Sequence, residues 1–463
     1  MTKKKYPPTP NYAVVPEVPF QLSFEFIRPY MQSEPEWGPV GKIAYVRTYA
    51  RELRGQELVE HLMRDFGMDK RQAIEESRKR KMVREEFWQT ARRVVEFVQN
   101  VFKQTALQSR HPWDEAEAQL KAEEMYRRLW DFKWLPPGRG MQFAGTPVVS
   151  AKSGAVLNNC GFISTQGITE DFAEPFVVIM DFLMLGVGMG SDVRGKNAVW
   201  IRQPETSTDV FVVPDDREGW VEAVRIKLNS YVGVGTQPVY DFSKIRKEGT
   251  ILRTFGGTAS GAGPLIRLLN AIDEILQPLI GKKITATAIA DIINNIGVCV
   301  VAGNIRRSAE ILIGEHDDEE FAGLKDPTEI RAIEAGLIRR EADLTAESPL
   351  LQSLQRQTAR LRKRQAGLSV ADPEYLRLQK IVDRHDKARL AVLRADAEWF
   401  ELQAKIDSHP LFTHRWASNN TQLFPRDFTF EAVAERIRKN GEPGAAFMDN
   451  IRAFGRMNGD CSV

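Results

Sequence analysis

Cysteine is the scarcest residue type in this chain, with three among 463 residues. So few cysteines, in an odd number, cannot build a disulfide framework, which favours a reducing compartment. The chain has no run of about 18 apolar residues, and its basic start "MTKKKYPPTPNY" continues into prolines rather than an apolar core. We therefore predict neither a membrane span nor a signal peptide, and we expect a cytoplasmic protein.

A charge excess and the common catalytic motifs are also missing. The 64 Lys and Arg residues against 62 Asp and Glu residues leave a net charge of +2, so neither nucleic acid nor a membrane is an expected partner. The six histidines lack metal-ligand spacing, and neither His-Glu-x-x-His nor Cys-x-x-Cys occurs, so no metal site is predicted. A hydrolase triad is excluded too, because no Gly-x-Ser-x-Gly elbow is present.

Changes in sequence texture divide the chain into five segments, namely 1–40, 41–137, 138–316, 317–410 and 411–463. The first is rich in proline and aromatic residues and predicts an extended arm. The second predicts a helical N-terminal region, because apolar residues recur at helical spacing between charges. The third alternates short strands such as "DVFVVP" with apolar helices such as "PLIRLLNAIDEILQPLI", which predicts an α/β layer or barrel.

The fourth segment, 317–410, contains little glycine, and its leucines recur three, four and seven residues apart. This pattern predicts long helices that form an antiparallel hairpin hinged near "GLSVADPEY". The hairpin is either a solvated coiled-coil appendage or a surface for a partner protein or nucleic acid. "RLRKRQ" permits the second reading without requiring it. The α/β texture returns in 411–463, so the helical segment is an insertion.

The segment "LNNCGFIST", Leu157–Thr165, places Cys160 where a turn leads into a strand. The two asparagines before Cys160 favour the turn. A thiol at such an edge is accessible to a substrate, so Cys160 is either a redox or nucleophilic thiol or a packed apolar residue.

Three other segments could carry chemistry. "FGGTASGAGP", Phe255–Pro264, precedes an apolar helix and suits either anion binding by backbone amides or a plain tight turn. It matches neither the Walker loop nor Gly-x-Gly-x-x-Gly. "GVGMGSDV", Gly186–Val193, allows close backbone packing. In "VVAGNIRRSAEILIG", Val300–Gly314, Arg306 and Arg307 suit phosphate or base contacts.

Taken together, the segments "LNNCGFIST", "VPDDREGW", "FGGTASGAGPLIRLL", "VVAGNIRRSAEILIG", "HRWASNN" and "NGEPG" resemble, in this order, the adenosylcobalamin-dependent (class II) ribonucleotide reductases. The likeness is to the monomeric ribonucleoside-triphosphate reductase type, and it covers about residues 41–316 and 411–459. It implies part of a ten-stranded α/β barrel made of two half-barrels. The helical segment 317–410 is longer than the family's usual connection, so we interpret it as an insertion, and residues 41–137 as an N-terminal helical region.

The resemblance also implies a reaction. Members of the family replace the ribose 2′-hydroxyl with hydrogen, using a cysteine thiyl radical that the cobalamin cofactor generates and two further cysteines that become a disulfide. The implied partners are a ribonucleotide substrate, deoxynucleoside-triphosphate or ATP effectors, and a thioredoxin-type reductant. The implied role is deoxyribonucleotide supply for DNA replication.

The resemblance assigns roles to particular residues. Cys160 corresponds to the first of the two reducing cysteines, and Asn159 is its neighbour on the substrate side. The glycine-rich barrel loop makes Gly256, Gly257 and Ser260 candidates for substrate binding. Gly303, Asn304, Arg306 and Arg307 correspond to the allosteric loop that relays the identity of the effector. Cys299 has no catalytic counterpart, and its apolar surroundings predict core packing.

The chain departs from the family pattern after "NGEPG". The family's radical cysteine lies in Asn-Pro-Cys-x-Glu, and Cys461 in "GDCSV" does not match this motif. We therefore expect the N-terminal part of a reductase, inactive alone, with adenosylcobalamin bound mainly by a C-terminal part on a complementing polypeptide. A truncated or split gene is favoured over an intein junction at Cys461. The alternative hypothesis is a non-catalytic nucleotide-binding or scaffold half-barrel.

Overall fold

The structure is a computed structural model that describes residues 18–151, 154–250, 258–302, 309–370, 372–425 and 428–454. The described residues form two compact units. The first contains the described residues up to Gly161 together with Met184–Gly188. The second contains Phe162–Leu183 and the described residues from Met189 onward.

The first unit is mainly helical. Its helices are α1 (Phe24–Ile27), α2 (Gly41–Thr48), α3 (Gly55–Phe66), α4 (Lys70–Arg80), α5 (Phe87–Gln108), α6 (Glu115–Trp130), α7 (Gly138–Phe143) and α8 (Pro147–Ala151). Its two short strands, β1 (Glu52–Leu53) and β2 (Val83–Arg84), pair antiparallel. Short 3-10 helices follow α1 and α8, at Tyr30–Gln32 and Ala155–Leu157.

The core of the first unit is rich in aromatic side chains. Tyr126 of α6 is completely buried, and the side chain of Trp88 of α5 is 3% exposed. Phe20 and Leu22 join the same core and are 0% and 2% exposed. From residue 18 onward, the segment predicted as an extended arm therefore packs into the helical unit. The reason is that its apolar side chains gain more from burial than from exposure to water.

The second unit contains the strands and the remaining helices. Its strands are β3 (Cys160–Ile163, which begins in the first unit), β4 (Gly188–Asp192), β5 (Thr206–Val212), β6 (Gln237–Asp241), β7 (Glu310–Glu315), β8 (Ser418–Phe424) and β9 (Gly444–Phe447). Its helices are α9 (Glu174–Met184), α10 (Arg217–Ser230), α11 (Gly263–Leu276), α12 (Ala286–Val301), α13 (Glu319–Gly323), α14 (Thr328–Glu347), α15 (Pro349–Gln365), α16 (Pro373–Leu393), α17 (Ala397–Ser408), α18 (Pro410–Thr413), α19 (Glu431–Asn440) and α20 (Met448–Phe454).

A five-stranded sheet with the order β3-β4-β7-β8-β9 organises the second unit. The pairs β4–β7, β7–β8 and β8–β9 are parallel, with Gly190 opposite Ile311 and Ile311 opposite Asn419. Strands β5 and β6 form a separate parallel pair. Helices connect the parallel strands, as such connections require. The α/β class predicted from the sequence is confirmed, with a sheet that corresponds to part of a barrel.

The two faces of this sheet differ. On one face, a Cβ atom added to Gly297 of α12 would lie 2.7 Å from Glu310, and Phe321 of α13 packs against Gly314, so helices cover this face. On the opposite face, Phe162 is 55% exposed and Ile311 is 40% exposed. Both of these side chains contact Gly190, where an added Cβ atom would lie 2.7 Å from Phe162 and 3.1 Å from Ile311.

The predicted helical insertion forms helices α14 to α17. Helix α15 packs against α16, and α14 packs against α17. Leu351, Leu393 and Trp399 are nearly fully buried and form a core of the insertion itself. The predicted hinge near "GLSVADPEY" coincides with the connection between α15 and α16.

Side chains close the insertion at its root. Arg415, which follows α17, donates to the carbonyl oxygen of Leu324, which precedes α14, at 2.6 Å. Lys325 donates to the carbonyl oxygen of Ser418 in the same way and forms an ion pair with Glu442 at 2.8 Å. The chain therefore leaves and re-enters the sheet region at neighbouring points.

Candidate active site around Cys160

Cys160 is the first residue of β3, and its thiol is exposed and free. The 3-10 helix Ala155–Leu157 ends just before it, and the backbone N–H of Asn158 closes that turn on the carbonyl oxygen of Ala155 at 3.1 Å. The carbonyl oxygen of Asn159 accepts from the N–H of Gly188 in β4 at 2.8 Å. The turn and the strand that the sequence predicts around Cys160 are both present.

Side-chain alternation sets the direction of the thiol. Residues two apart on a strand point to the same face, so Cys160 and Phe162 share a face of β3. Cys160, Asn159 and Phe162 are all exposed. Cys160 therefore lies on the same side of β3 as the exposed ring of Phe162.

Arg139 supports the backbone around Cys160, and the sequence did not single it out. Its guanidinium donates to the carbonyl oxygens of Leu185, at 2.7 Å, and Gly186, and it lies 3.5 Å from that of Val156. Burial lowers the pKa of Arg139. Gly186 has a φ of +77°, and an added Cβ atom would collide with the guanidinium, so only glycine fits there. The Gly-Arg-Gly sequence at 138–140 is the feature of the sequence that could have drawn attention to Arg139.

Asp192 fixes the other end of the motif. The hydroxyl of Ser164 donates to one carboxylate oxygen of Asp192 at 2.6 Å. The N–H and the hydroxyl of Thr165 donate to the other oxygen, each at 2.8 Å. Asp192 is 3% exposed. The "ST" that ends "LNNCGFIST" therefore holds the end of β3 beside the end of β4.

Ser260 lies in a different place, at an open cavity of about 540 Å³ in the second unit. Three cations and one carboxylate line this cavity, namely Arg246, Lys247, Arg267 and Glu248, and Arg246 is paired with Asp215 at 2.6 Å. Helix α11 begins at Gly263 on its rim, and free backbone N–H groups at a helix start favour anions. The cavity is therefore suited to an anionic ligand.

The other predicted site residues lie outside the described residues: Gly256, Gly257, Gly303, Asn304, Arg306 and Arg307. Their flanks are described. Helix α12 ends at Val301 and β7 begins at Glu310, so residues 303–308 connect a helix to a strand of the main sheet. Ala302, just before them, lines the same cavity as Ser260.

Cys299 has a different environment from Cys160. It lies on α12, is 4% exposed, and burial raises its pKa to about 12. A thiol with this pKa stays protonated and unreactive at neutral pH. The prediction that Cys299 packs in the core is confirmed, while Cys461 lies outside the described residues.

The described residues show no cluster of metal-ligating side chains, that is, no group of three His, Cys, Asp or Glu side chains that could hold a metal ion. Three open cavities along them hold about 410 to 550 Å³ and are lined largely by polar and charged side chains. Pockets of this size suit a drug-sized ligand, which is far smaller than a cobalamin.

In the described part of the chain, no helix is long and apolar enough to cross a membrane.

Comparison with protein families gives two matches. Residues 190–276 match the insertion domain of B12-dependent ribonucleotide reductase, and residues 74–146 match the ribonucleotide reductase alpha domain. A crystal structure of a B12-dependent (class II) ribonucleotide reductase superimposes with a TM-score of 0.61 at 24% sequence identity. That superposition covers 95% of this chain and 53% of the solved chain, so the two share a fold.

Curated relatives point the same way. The adenosylcobalamin-dependent ribonucleoside-triphosphate reductase of Euglena gracilis is 34% identical over 95% of this chain and 47% of its own length. The probable enzyme of the same name from Dictyostelium discoideum is 29% identical, with the same coverage of both chains. The Lactobacillus leichmannii enzyme is 27% identical over 94% of this chain and 52% of its own length. The chain spans about half the length of the curated relatives it matches.

Proposed function

We propose that this chain is the N-terminal part of an enzyme that reduces ribonucleotides to 2′-deoxyribonucleotides. The reason is that the chain belongs to the adenosylcobalamin-dependent (class II) ribonucleotide reductase family. The names of the relatives favour ribonucleoside triphosphates as substrates and adenosylcobalamin as the cofactor. The product supplies DNA synthesis. The observation that carries the proposal is the free, exposed thiol of Cys160 on the same side of β3 as the exposed ring of Phe162.

In this proposal Cys160 is one of two reducing thiols. Its proton goes to the leaving 2′-hydroxyl, which departs as water. Cys160 and a second cysteine then supply two electrons and become a disulfide, so that one dithiol is oxidised for each ribonucleotide reduced. Cys299 is buried and cannot be that second thiol. We therefore assign the second thiol to a further part of the protein. A thioredoxin-type reductant would then regenerate the pair.

Asn159 and Arg139 have supporting roles in the proposal. Asn159 is exposed beside the thiol, where its side-chain amide can donate to a substrate oxygen. Arg139 ties the backbone before Cys160 to the Gly186 turn, which keeps the thiol in one position. A reacting group held in one position lowers the entropy cost of the reaction.

The cationic cavity at Ser260 is our candidate for binding nucleotide phosphates. Arg246, Lys247 and Arg267 supply positive charge there, and the start of α11 adds backbone donors. Gly256 and Gly257 precede this cavity in the chain. We assign Gly303, Asn304, Arg306 and Arg307 to recognition of deoxynucleoside-triphosphate or ATP effectors, since Ala302 beside them lines the same cavity.

The uncovered sheet face supports a complementing polypeptide. Phe162 and Ile311 leave apolar surface in water on that face, which favours association with another layer. The second half of the barrel would supply that layer. We propose that this further part of the protein binds most of the adenosylcobalamin, because the chain spans only about half the length of relatives that are named for this cofactor. The scarcity of cysteine supports a cytoplasmic location.

The test is to combine the chain with the polypeptide that carries the rest of the reductase and to measure deoxyribonucleotide formation. With adenosylcobalamin and a dithiol present, we expect turnover by the wild type and a loss of about 10³-fold or more in Cys160→Ser. Cys299→Ala is the matched control, because it removes a cysteine that the reaction does not use.

Two outcomes would contradict the proposal. Retained turnover in Cys160→Ser would remove Cys160 from the chemistry. Nucleotide binding without reduction, even beside the complementing chain, would favour the non-catalytic nucleotide-binding half-barrel. Alkylation of the native chain gives an independent readout, because iodoacetamide should modify Cys160 and spare buried Cys299.

A further inference from the structure

Positive charge is concentrated in the hairpin formed by α15 and α16. Residues 349–393 contain ten Lys or Arg residues and four Asp or Glu residues, a net charge of +6. Because the whole chain carries +2, the remaining residues carry −4. The prediction that nucleic acid is not a partner rested on the net charge of the whole chain. That value conceals the separation of positive charge in the hairpin from negative charge in the rest of the chain.

One face of α16 and its C-cap carries a stripe of cations. The stripe consists of Arg377, Lys380, Arg384, Lys387 and Arg394. Steps of three, four and seven residues keep side chains on one face of a helix. All five are exposed, and none has a carboxylate oxygen within 4.0 Å among the described residues. By contrast, Arg362, Arg364 and Arg389 elsewhere in the hairpin are paired with acidic side chains.

The stripe points away from the rest of the insertion. Leu378, Val382 and Leu393 of α16 are 2–5% exposed and lie on the face that packs against the neighbouring helices. At 100° per residue, the stripe lies on the opposite side of the helix from these residues. Among the described residues, no ion pair accounts for the five cations, and the exposed Asp383 at the edge of the same face accepts from Gln379 at 2.8 Å.

The surface around the stripe lacks the apolar anchors of a protein interface. Protein interfaces bury a central cluster of aromatic and aliphatic side chains. Here two large apolar side chains are exposed beside the stripe, Leu376 at 53% and Leu390 at 36%. They are 14 residues apart on the helix, about 21 Å, so they do not form a cluster. Ala391, four residues after Lys387 and three before Arg394, lies on the same face as the stripe and offers no large apolar side chain. A charged surface without a cluster of apolar side chains is better suited to bind a regular polyanion than a folded protein.

We propose that this cationic stripe binds the phosphate backbone of double-stranded DNA without reading its sequence. The five residues span about 25 Å at 1.5 Å per residue, the length of about seven base pairs. A hairpin two helices wide measures about 20 Å and cannot enter a major groove of about 12 Å. Contacts are therefore made to phosphates. This inference is independent of the proposed reductase activity.

The experiment measures fluorescence anisotropy of a labelled 20-base-pair duplex with the complete chain between 50 and 300 mM KCl. Five phosphate contacts predict a slope of log Kobs against log salt of about −4.5. The triple variant Arg377→Gln, Lys380→Gln, Arg384→Gln should make this slope shallower by about 3 and weaken binding about tenfold or more at 100 mM. Glutamine keeps the helix propensity of the replaced residues.

Two control variants separate charge on this face from charge in general and from folding. Lys70→Gln, Arg71→Gln, Arg78→Gln removes three exposed cations from α4, none of them paired with an acid among the described residues, and should leave the slope unchanged. Arg377→Lys, Arg384→Lys keeps the charge and should bind within about threefold of the wild type, because a phosphate contact here needs charge rather than a guanidinium.

Three results would overturn the inference. The first is no salt-dependent binding of the duplex by the wild type. The second is an equal loss of binding in the α16 and α4 triple variants. The third is displacement of the duplex by polyglutamate at an equal concentration of charge, which would assign the stripe to an acidic protein surface instead.

Discussion

Substitution of Asp291 by asparagine tests the clamp at the root of the helical insertion. Asp291 of α12 accepts from Nε and Nη2 of Arg415 at 2.7 and 2.9 Å, one bond to each carboxylate oxygen. The two side chains are only 10% and 15% exposed, so water screens this pair weakly. Asparagine would leave the guanidinium buried without a counter-charge. Removal of one partner from a buried pair costs about 3–5 kcal/mol.

The same pair predicts a pH dependence. Burial alone would raise the pKa of Asp291, but hydrogen bonds and charge from Arg415 and His414 outweigh it and hold the pKa below its usual 3.8. A carboxylate whose pKa is lower in the folded protein stabilises it fully above the unfolded value. This stabilisation is lost as the pH falls below 3.8 and through the folded pKa. Asp291→Asn should lack this acid-induced loss.

Hydrogen exchange followed by mass spectrometry is the suitable assay, because the chain has two units and a single unfolding transition cannot be assumed. Protection of peptides from α12 and β8 should fall by about 10²- to 10⁴-fold in Asp291→Asn, which corresponds to the cost above. Glu75→Gln is the control, since its ion pair with Lys79 is about two-thirds exposed and should cost less than about 1 kcal/mol. Unchanged protection in α12 and β8 would falsify the clamp.

Three further predictions concern other parts of the molecule. Gly314→Ala should cost about 1–3 kcal/mol in a denaturant titration, because its Cβ atom would collide with the buried ring of Phe321, whereas Gly323→Ala, which meets no atom within 4 Å, should be neutral. Trp399→Ala should cost about 3–5 kcal/mol within the insertion and lower exchange protection in α14 to α17 but not in β7 and β8. In the natural source, intact-mass analysis should find these peptides in a species well above 52.5 kDa or with a second co-purifying chain, and a lone 52.5 kDa species would favour the nucleotide-binding alternative.

Local patterns were sufficient for the parts of the fold that depend on near neighbours in the chain. The helical spacing of residues 41–137 corresponds to α2 through α6, and the leucine repeat of 317–410 corresponds to α14 through α17. The turn predicted before Cys160 is the 3-10 helix Ala155–Leu157, which ends at Asn158, because turn preferences act over a few positions. These predictions needed no information about distant contacts.

Contacts between distant residues could not be predicted in the same way. Arg139 reaches backbone oxygens more than 40 residues away, and Arg415 pairs with Asp291 across 124 positions. No periodicity links such residues, since their meeting depends on how helices and strands pack. Phe20 and Leu22 were assigned to an extended arm for the same reason, because proline-rich composition says nothing about the core that receives their side chains.

The uncovered face of the sheet joins the sequence and the proposed function. Strand β7 reads "EILIGE", with apolar residues on both faces, which is typical of a parallel strand buried on both sides. In this chain α12 and α13 cover one face, while Ile311 on the other is 40% exposed. Phe162 is exposed on the same face, two residues after Cys160 on β3. A strand with apolar residues on both faces needs a second layer to cover its exposed face. We propose that the other half-barrel supplies this layer, encloses the thiol and excludes water from it.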